Sequence, residues 1–187
     1  MAREFDDDGC ADERLVRCYH DLLLDSAIHE LNLLRGLAGD PSEVLAAEFW
    51  DDARSMQLVL GYPDELRVSF SFVWLPELPE YVQELAFRTP SARLALRFPS
   101  PFLRNAPTLV ALDRFEDEVL HREQLVAGYD EAFRRELVHL HRTVVDGVAP
   151  LVTPEQARGD VVLAGLIARS WLDGGPLPVE RLDASAA

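Results

Sequence analysis

The two residues best suited to acid–base chemistry in this sequence are Asp25 and His29. Four positions separate them, and in a helix this spacing brings both side chains to one face. A carboxylate beside an imidazole fixes the tautomer of the histidine and raises its basicity, which makes a proton carrier near neutral pH. Leucines flank the pair, and we expect them to bury it and exclude water.

The same two residues also have a structural interpretation, which the spacing leaves open. Asp25 would then be the N-cap of a helix, where its carboxylate accepts hydrogen bonds from free backbone N–H groups. His29 would be a core histidine whose ring nitrogens are satisfied by neighbouring groups.

The segment that carries the pair has the apolar periodicity of a helix over residues 22–38. Gly39, followed by Pro41, predicts where this helix ends. Towards the carboxyl end, a second helix is predicted over about 130–146. A third begins at Thr153, where Pro154 and Gln156 are typical of a capping box.

The middle of the chain alternates between apolar and polar residues with a period of two, which is typical of strands with one covered face. Because strands and helices occur in separate runs, the pattern favours the α+β class, with an open-faced, predominantly antiparallel mixed sheet that helices cover on one face. The predicted strands are 43–50, 55–60, 66–74, 81–88, 91–98, 108–113 and 118–125.

The composition excludes several classes of function. The chain has 187 residues and a formal charge of −15, and every one of its 18 basic residues is arginine. A surface this acidic disfavours nucleic acid and anionic membranes as partners. The absence of lysine excludes a lysine Schiff base or a P-loop lysine. No apolar run is long enough to span a bilayer, and the amino terminus is acidic where a signal peptide is basic, so we expect a cytoplasmic protein.

The domain organisation predicted from composition is simple. Residues 1–14 hold six acidic residues and are expected to form a flexible leader, and residues 15–182 are expected to form a single α+β domain. Two cysteines, Cys10 and Cys18, are expected to stay reduced.

Three weaker patterns have alternative interpretations. His139 and His141 are two apart on a predicted helix and therefore face different directions, so we predict no metal site. Trp74, with the prolines that follow it, either rims a substrate cleft or simply connects two strands. Arginines on the polar strand faces form either a solvated surface or a contact with another subunit; they are Arg67, Arg88, Arg93 and Arg97.

The segment around the pair resembles the start of the C-terminal domain in the Gfo/Idh/MocA family of NAD(P)-dependent oxidoreductases. The matching positions are Asp25, His29, Glu30, Leu33-Leu34-Arg35, Gly39, Pro41 and Val44. The end of the chain resembles the same family through Glu131-Ala132-Phe133, Glu136-Leu137, Gly147, Pro150, residues 153–158 and Asp160. The resemblance covers about residues 17–180.

The resemblance implies the roles of three residues. His29 would be the general acid/base at the substrate hydroxyl, and Asp25 would orient His29 or the substrate. Asn32 stands where the family often has aspartate, and its amide would hydrogen-bond a substrate hydroxyl. The substrate would be sugar- or polyol-like, and the open sheet face would build a homo-oligomer.

The family's cofactor-binding features are missing from this sequence. There is no G-x-G-x-x-G motif, and without lysine there is no Glu-Lys-Pro element. We therefore expect no cofactor within this chain and no activity of this chain alone. The Rossmann half, which would bind NAD or NADP, would lie on a separate chain or have been lost. The alternative is a non-catalytic oligomerisation or small-molecule-binding module derived from the same fold.

Overall fold

The computed structural model describes residues 13–180 and residue 182. These residues divide into two compact units. The first unit runs up to Leu75 and resumes at Val152, and the second comprises Pro76–Leu151. The flexible leader predicted over 1–14 lies outside the described residues except for Glu13 and Arg14, which are helical. The prediction of a single domain over 15–182 remains a prediction.

The first unit begins with one continuous helical stretch of three parts. Helix α1 (Glu13–Val16) leads into a π-helical segment (Arg17–Ala27), which continues as helix α2 (Ile28–Ala38). Gly39 ends the stretch with φ of 78°, and its N–H donates to the carbonyl of Arg35 at 2.9 Å. The end of the helix at Gly39 was predicted, whereas the chain is already helical at Glu13, nine residues before the predicted start.

The π-helical segment changes which side chains face the core. In a π-helix the backbone hydrogen bonds join residues i and i+5, so each turn is wider than in an α-helix. Residues four to five positions apart therefore face the core. The buried residues of the stretch are Leu15, Cys18, Leu22, Leu23, Ala27, Leu31, Leu34 and Arg35. The apolar repeat that predicts this helix consists of Leu24, Ile28, Leu31, Leu34 and Leu37. Leu31 and Leu34 are buried, whereas Leu37 is 55% exposed.

A four-stranded antiparallel sheet completes the first unit together with a long helix. Its strands are β1 (Glu43–Trp50), β2 (Ser55–Gly61), β3 (Arg67–Phe72) and the short β8 (Leu177–Pro178), in the order β3-β2-β1-β8. Helix α4 (Pro154–Asp173) packs against β1 and against α2, so helices cover one face of this sheet. Core residues on the sheet and on α4 include Val44, Phe49, Met56, Leu58, Leu60, Leu163, Ala164, Ile167 and Ala168.

The start of helix α4 follows the capping pattern predicted from the sequence. The Thr153 hydroxyl accepts from the N–H of Gln156 at 3.3 Å, and the side-chain oxygen Oε1 of Gln156 accepts from the N–H of Thr153 at 2.9 Å. The apolar stripe predicted for this helix, Ala157, Val161, Ala164, Ile167 and Trp171, is confirmed in part: Ala164 and Ile167 are buried, and Trp171 packs against the core. Val161 is 39% exposed, while Asp160 is buried.

The second unit holds a separate four-stranded sheet and one helix. Strands β4 (Gln83–Arg88), β5 (Ala92–Phe98), β6 (Thr108–Glu116) and β7 (Val119–Ala127) are antiparallel neighbours in chain order, and helix α3 (Ala132–Asp146) follows. The structure describes all residues from 76 to 151, and none of them is buried. The apolar side chains of this sheet therefore remain accessible.

The α+β class and the antiparallel pairing are as predicted. All strand pairs among the described residues are antiparallel, and the strands form two sheets of four rather than one continuous sheet. None of the helices in the described part of the chain combines the length and apolar character needed to cross a membrane.

Candidate functional site

Asp25 and His29 lie on the first helical stretch, and both side chains are exposed. Burial by the flanking leucines, expected from the sequence, is therefore wrong, and so is the alternative of a core histidine. Asp25 is not an N-cap either, because helix extends on both sides of it. Asp25 is in the π-helical segment while His29 is in α2, and no hydrogen bond joins the two within residues 13–180.

Exposure makes the imidazole of His29 accessible to a molecule in solution. It lies one turn before Asn32 on the same helix, so the two side chains are neighbours on the helix surface. Together with Asp25 they form a polar strip of a carboxylate, an imidazole and an amide. Such a strip can exchange a proton and offer both donors and acceptors to a polar ligand.

Asn32 has a protein partner in the structure. Its amide nitrogen donates to Oδ2 of Asp160 on helix α4 at 2.7 Å, in a partly buried position. This bond ties α2 to α4. It uses one of the two amide protons, which leaves the carbonyl oxygen and the second proton available for other contacts. Contact between Asn32 and a substrate remains a prediction.

Arg35, one turn further along α2, is the centre of a buried polar cluster. Its Nη1 donates to Oδ1 of Asp160 at 2.5 Å and to the carbonyl of Gln156 at 2.7 Å, and its Nε donates to Oδ1 of Asp40 at 2.7 Å. Burial by itself would lower the pKa of Arg35. The hydrogen bonds and charges of Asp40 and Asp160 outweigh it and raise that pKa, so the guanidinium stays charged.

The Arg35 cluster explains two departures from the sequence prediction. Asp160 occupies a buried position because a guanidinium and an amide both donate to its carboxylate. Gly159 lies directly against the guanidinium, since a Cβ there would be 2.5 Å from Nη2 and 2.7 Å from Nη1 of Arg35. Arg35 and Asn32 are more than 120 positions away from Asp160 in the sequence. The one sequence signal of this pairing is Asp160 itself, an acidic residue within the apolar pattern of α4.

A cleft of about 400 Å³ lies in the first unit between the π-helical segment and the β1–β2 hairpin. We call it the helix–hairpin cleft; its lining residues are Arg17, Asp21, Leu22, Ser26, Asp52, Ala53, Arg54, Phe72 and Trp74. Trp74 thus rims a cleft, which was one of the two interpretations of this residue. Neither Asp25 nor His29 lines it.

The hairpin turn that forms one wall of the cleft has an uncommon backbone. Three successive residues, Asp51, Asp52 and Ala53, have φ between 54° and 60°. Non-glycine residues adopt this left-handed region rarely, although aspartate tolerates it better than most. The turn places Asp52 opposite the helix, where its carboxylate pairs with Arg17.

The remaining histidines form no metal site among the described residues, where no group of three potential ligands converges. His139 accepts a hydrogen bond at Nε2 from the N–H of Leu151 at 3.1 Å, which is a local contact within the second unit. The arginines on the strand faces are exposed, and Arg93 and Arg97 pair with Asp113, Glu80 and Glu84.

The described residues do not fit a dinucleotide cofactor. Such a cofactor is held by a glycine-rich loop between a strand and a helix within a parallel βαβ unit. Residues 13–180 contain antiparallel strand pairs alone, and the sequence has no G-x-G-x-x-G motif. A nicotinamide cofactor would therefore need a binding site beyond residues 13–180.

No protein-family model matches this chain, and no curated protein matches it. Solved structures do share its fold. A protein from Desulfitobacterium hafniense, provisionally described as an NADPH-dependent oxidoreductase, matches with a TM-score of 0.72 at 13% identity, over 87% of this chain and 49% of its own.

Two further structures extend the comparison. The 3-ketoreductase KijD10 from Actinomadura kijaniata, solved with NADP and TDP-benzene, matches with a TM-score of 0.59 at 19% identity, over 81% of this chain and 45% of its own. An oxidoreductase from Bacillus cereus matches with a TM-score of 0.61 at 11% identity, over 84% and 50% of the two chains. The chain therefore has the fold of part of these oxidoreductases and spans about half of their length.

Proposed function

We propose that this chain is the substrate-binding and oligomerisation half of an NAD(P)-dependent oxidoreductase of the Gfo/Idh/MocA type. Its substrate would be a sugar- or polyol-like molecule with a reacting hydroxyl. The observation that carries the proposal is the Asp25–His29–Asn32 strip, in which Asp25 and His29 are exposed and Asn32 is partly buried. It lies on the first long helix of a fold shared with about half of each oxidoreductase. KijD10, which was solved with TDP-benzene, is consistent with a small-molecule ligand.

His29 would carry the proton of the reaction. As the substrate hydroxyl becomes a carbonyl, an imidazole nitrogen accepts the hydroxyl proton, and in the reverse direction it returns that proton. A nicotinamide cofactor, which these residues do not hold, would supply the redox chemistry. The exposure of His29 supports this role, because a general base must reach the proton it removes.

Asp25 and Asn32 would position the substrate. Asp25, exposed one turn before His29, would accept a hydrogen bond from a second hydroxyl or from the imidazole. Asn32 would use the amide proton and the carbonyl oxygen that are free of Asp160. Polar groups of fixed geometry discriminate well between substrates with and without the matching hydroxyl.

Oligomerisation would use the sheet of the second unit. The cross-strand row Leu85, Leu96, Val110 and Leu125 gives one face an apolar surface, and none of its side chains is buried. A second copy related by two-fold symmetry would cover this surface. The expected compartment is the cytoplasm.

The test of the enzymatic role is expression of the chain together with the coding sequence immediately upstream and the neighbouring reading frames. Oxidation and reduction of sugars and polyols is then followed through NADH and NADPH absorbance. We expect His29→Ala to lower kcat by about 10² or more, while the affinity for the cofactor is unchanged. Unchanged turnover in His29→Ala would remove this residue from the mechanism, and the matched control His20→Ala should keep full activity.

The alternative function is a small-molecule-binding or oligomerisation module without catalysis. The poor fit of the described residues to a dinucleotide favours it. Titration of this chain with sugars and polyols, followed by the imidazole NMR signals, separates the two functions when it is combined with the activity assay. Ligand binding without turnover in any expressed combination would support the module.

A further inference from the structure

The helix–hairpin cleft has a charge balance that the oxidoreductase proposal does not use. Two arginines line it, and both are compensated by carboxylates. Arg17 pairs with Asp52 across the cleft and with Glu13 at 3.5 Å, and Arg54 pairs with Asp51 at 3.0 Å. The guanidinium groups therefore offer little attraction to an anionic ligand.

One charged group of the cleft remains uncompensated. Asp21 lines the cleft and has no hydrogen bond or ion pair within the described residues 13–180. The lining itself holds two arginines and two aspartates, and once the carboxylates of Glu13 and Asp51 that pair with these arginines are included, the formal charge of the group is −2. The chain as a whole has a formal charge of −15, which raises the concentration of cations near its surface.

Two aromatic rings share this cleft with Asp21. Phe72 is partly buried, and Trp74 is 49% exposed, so the indole is available to a ligand. Aromatic faces attract ammonium groups through the negative face of the ring, and tryptophan does so best. Leu22 and Ala53 add apolar surface for the rest of the ligand.

We propose that the helix–hairpin cleft binds a small organic cation, an ammonium group attached to a compact apolar body. Asp21 neutralises the charge of the ligand, and Trp74 and Phe72 contact its ammonium methyl or methylene groups. The volume of about 400 Å³ is within the range of small-molecule sites. This binding is independent of His29, which does not line the cleft.

The experiment uses choline as the probe and 3,3-dimethylbutan-1-ol as its uncharged analogue of the same shape. Both are titrated into the ¹⁵N-labelled full chain, and the three indole N–H signals are followed by NMR. Trp74, Trp50 and Trp171 are assigned through single Trp→Phe variants. We expect choline to shift the Trp74 signal saturably and to leave those of Trp50 and Trp171 in place, and the neutral analogue to bind at least about fivefold more weakly.

Two substitutions identify the groups that hold the cation. Asp21→Asn and Trp74→Leu should each weaken choline binding by about fivefold or more. Asp173→Asn, which removes an exposed carboxylate from the end of α4, and Trp50→Phe should leave it unchanged.

Three results would overturn the proposal. Equal binding of choline and its neutral analogue would mean an apolar cavity without charge selection. Linear, unsaturable shifts of all three indoles would mean general accumulation of cations on an acidic surface. Saturable binding of a neutral sugar such as glucose at Trp74, with none of choline, would assign the cleft to a different ligand class.

Discussion

The amide nitrogen of Asn32 and Oδ2 of Asp160 are 2.7 Å apart, although 128 positions separate the two residues in the sequence. This bond connects the helix that carries His29 to helix α4. Because the other oxygen of Asp160 accepts from Arg35, the carboxylate is held on both sides. Asp160 therefore connects the proposed catalytic helix to α4 through two of its side chains, Asn32 and Arg35.

Replacing Asn32 by aspartate should destabilise the protein in a pH-dependent way. A second carboxylate beside Asp160 raises the pKa of one of the two in the folded state. The stability is then retained below the ordinary carboxyl pKa and lost as the pH rises through the raised value. We expect a loss of about 1–3 kcal/mol in the free energy of unfolding at pH 8. Urea denaturation at pH 4 and pH 8 measures it.

The control for this substitution is Asn105→Asp, the same chemical change at an exposed position of the second unit. Its effect should be within about 0.5 kcal/mol at both pH values. An Asn32→Asp variant that is equally stable at pH 4 and pH 8 would contradict the close contact with Asp160.

Replacing Arg35 by methionine should be among the most damaging changes in the first unit. It leaves the buried carboxylate of Asp160 without its cationic partner, which costs about 3–5 kcal/mol in comparable buried pairs. The exposed pair of Arg54 and Asp51 provides the comparison, and Arg54→Met should cost less than about 1 kcal/mol. Urea denaturation measures the free energy of unfolding of both variants. Similar decreases for Arg35→Met and Arg54→Met would contradict the claim that the Arg35 pair is buried and the Arg54 pair is exposed.

Gly159→Ala should destabilise the protein because its Cβ would lie 2.5–2.9 Å from three atoms of the Arg35 guanidinium. We expect a loss of about 1–3 kcal/mol. Gly36→Ala is the matched control: it is also helical, nothing lies within 4 Å of its added Cβ, and it should stabilise by about 0.5–1 kcal/mol.

A double-mutant cycle tests whether the two effects share one contact. In an Arg35→Met background the guanidinium is gone, so Gly159→Ala should lose most of its additional cost. Additive losses in the double variant would show that the alanine acts elsewhere in α4.

Cys18 should be unreactive as long as the first unit is folded. It is fully buried, and burial raises the pKa of its thiol to about 12. Thiolate is the reactive form, so in a Cys10→Ser variant a disulfide reagent at pH 8 should label Cys18 only as fast as the protein opens. Immediate labelling of one thiol in native conditions would contradict this burial.

The same thiol makes stability fall at high pH. In the unfolded state the Cys18 thiol loses its proton near the ordinary pKa of a thiol. In the folded state it keeps the proton until about pH 12, because burial raises its pKa. The contribution is therefore intact below about pH 9 and is lost between that value and about pH 12. A Cys18→Ala variant should show a shallower decline over this range.

Periodicity predicted most elements of this fold from the sequence. The strand at 43–50 was predicted with its observed bounds, and both C-terminal helices were predicted within about two residues. The π-helical segment was not predicted, because the change in helical pitch over 17–27 leaves no composition signal. Because of this segment, the side chains that face the core are those of Cys18, Leu22 and Leu23.

The candidate site was predictable in its residues and not in its surroundings. Asp25 and His29 were found from spacing and residue type, yet their exposure depends on which helix face packs on the sheet. Their proposed chemistry remains a prediction. Arg35 was recognised as part of a family pattern, but its partner Asp160 was not predicted. Contacts between residues more than 120 positions apart are determined by tertiary packing. The division into two sheets was not predicted for the same reason. The strands of both sheets have the same alternation of apolar and polar residues, so the sequence does not show which strands pair.

The first unit is discontinuous, and this has a consequence for its synthesis on the ribosome. Strand β1 pairs with β8, and α2 is tied to α4, so the core needs residues near both ends of the chain. While residues 76–151 are being synthesised, helix α4 is still missing, so the apolar surfaces of the first helices and of β1–β3 that it covers remain exposed. The hairpins of β4–β7, by contrast, involve sequence neighbours and can form as they emerge. Slow or interrupted translation before α4 thus exposes the nascent chain to aggregation and chaperone capture.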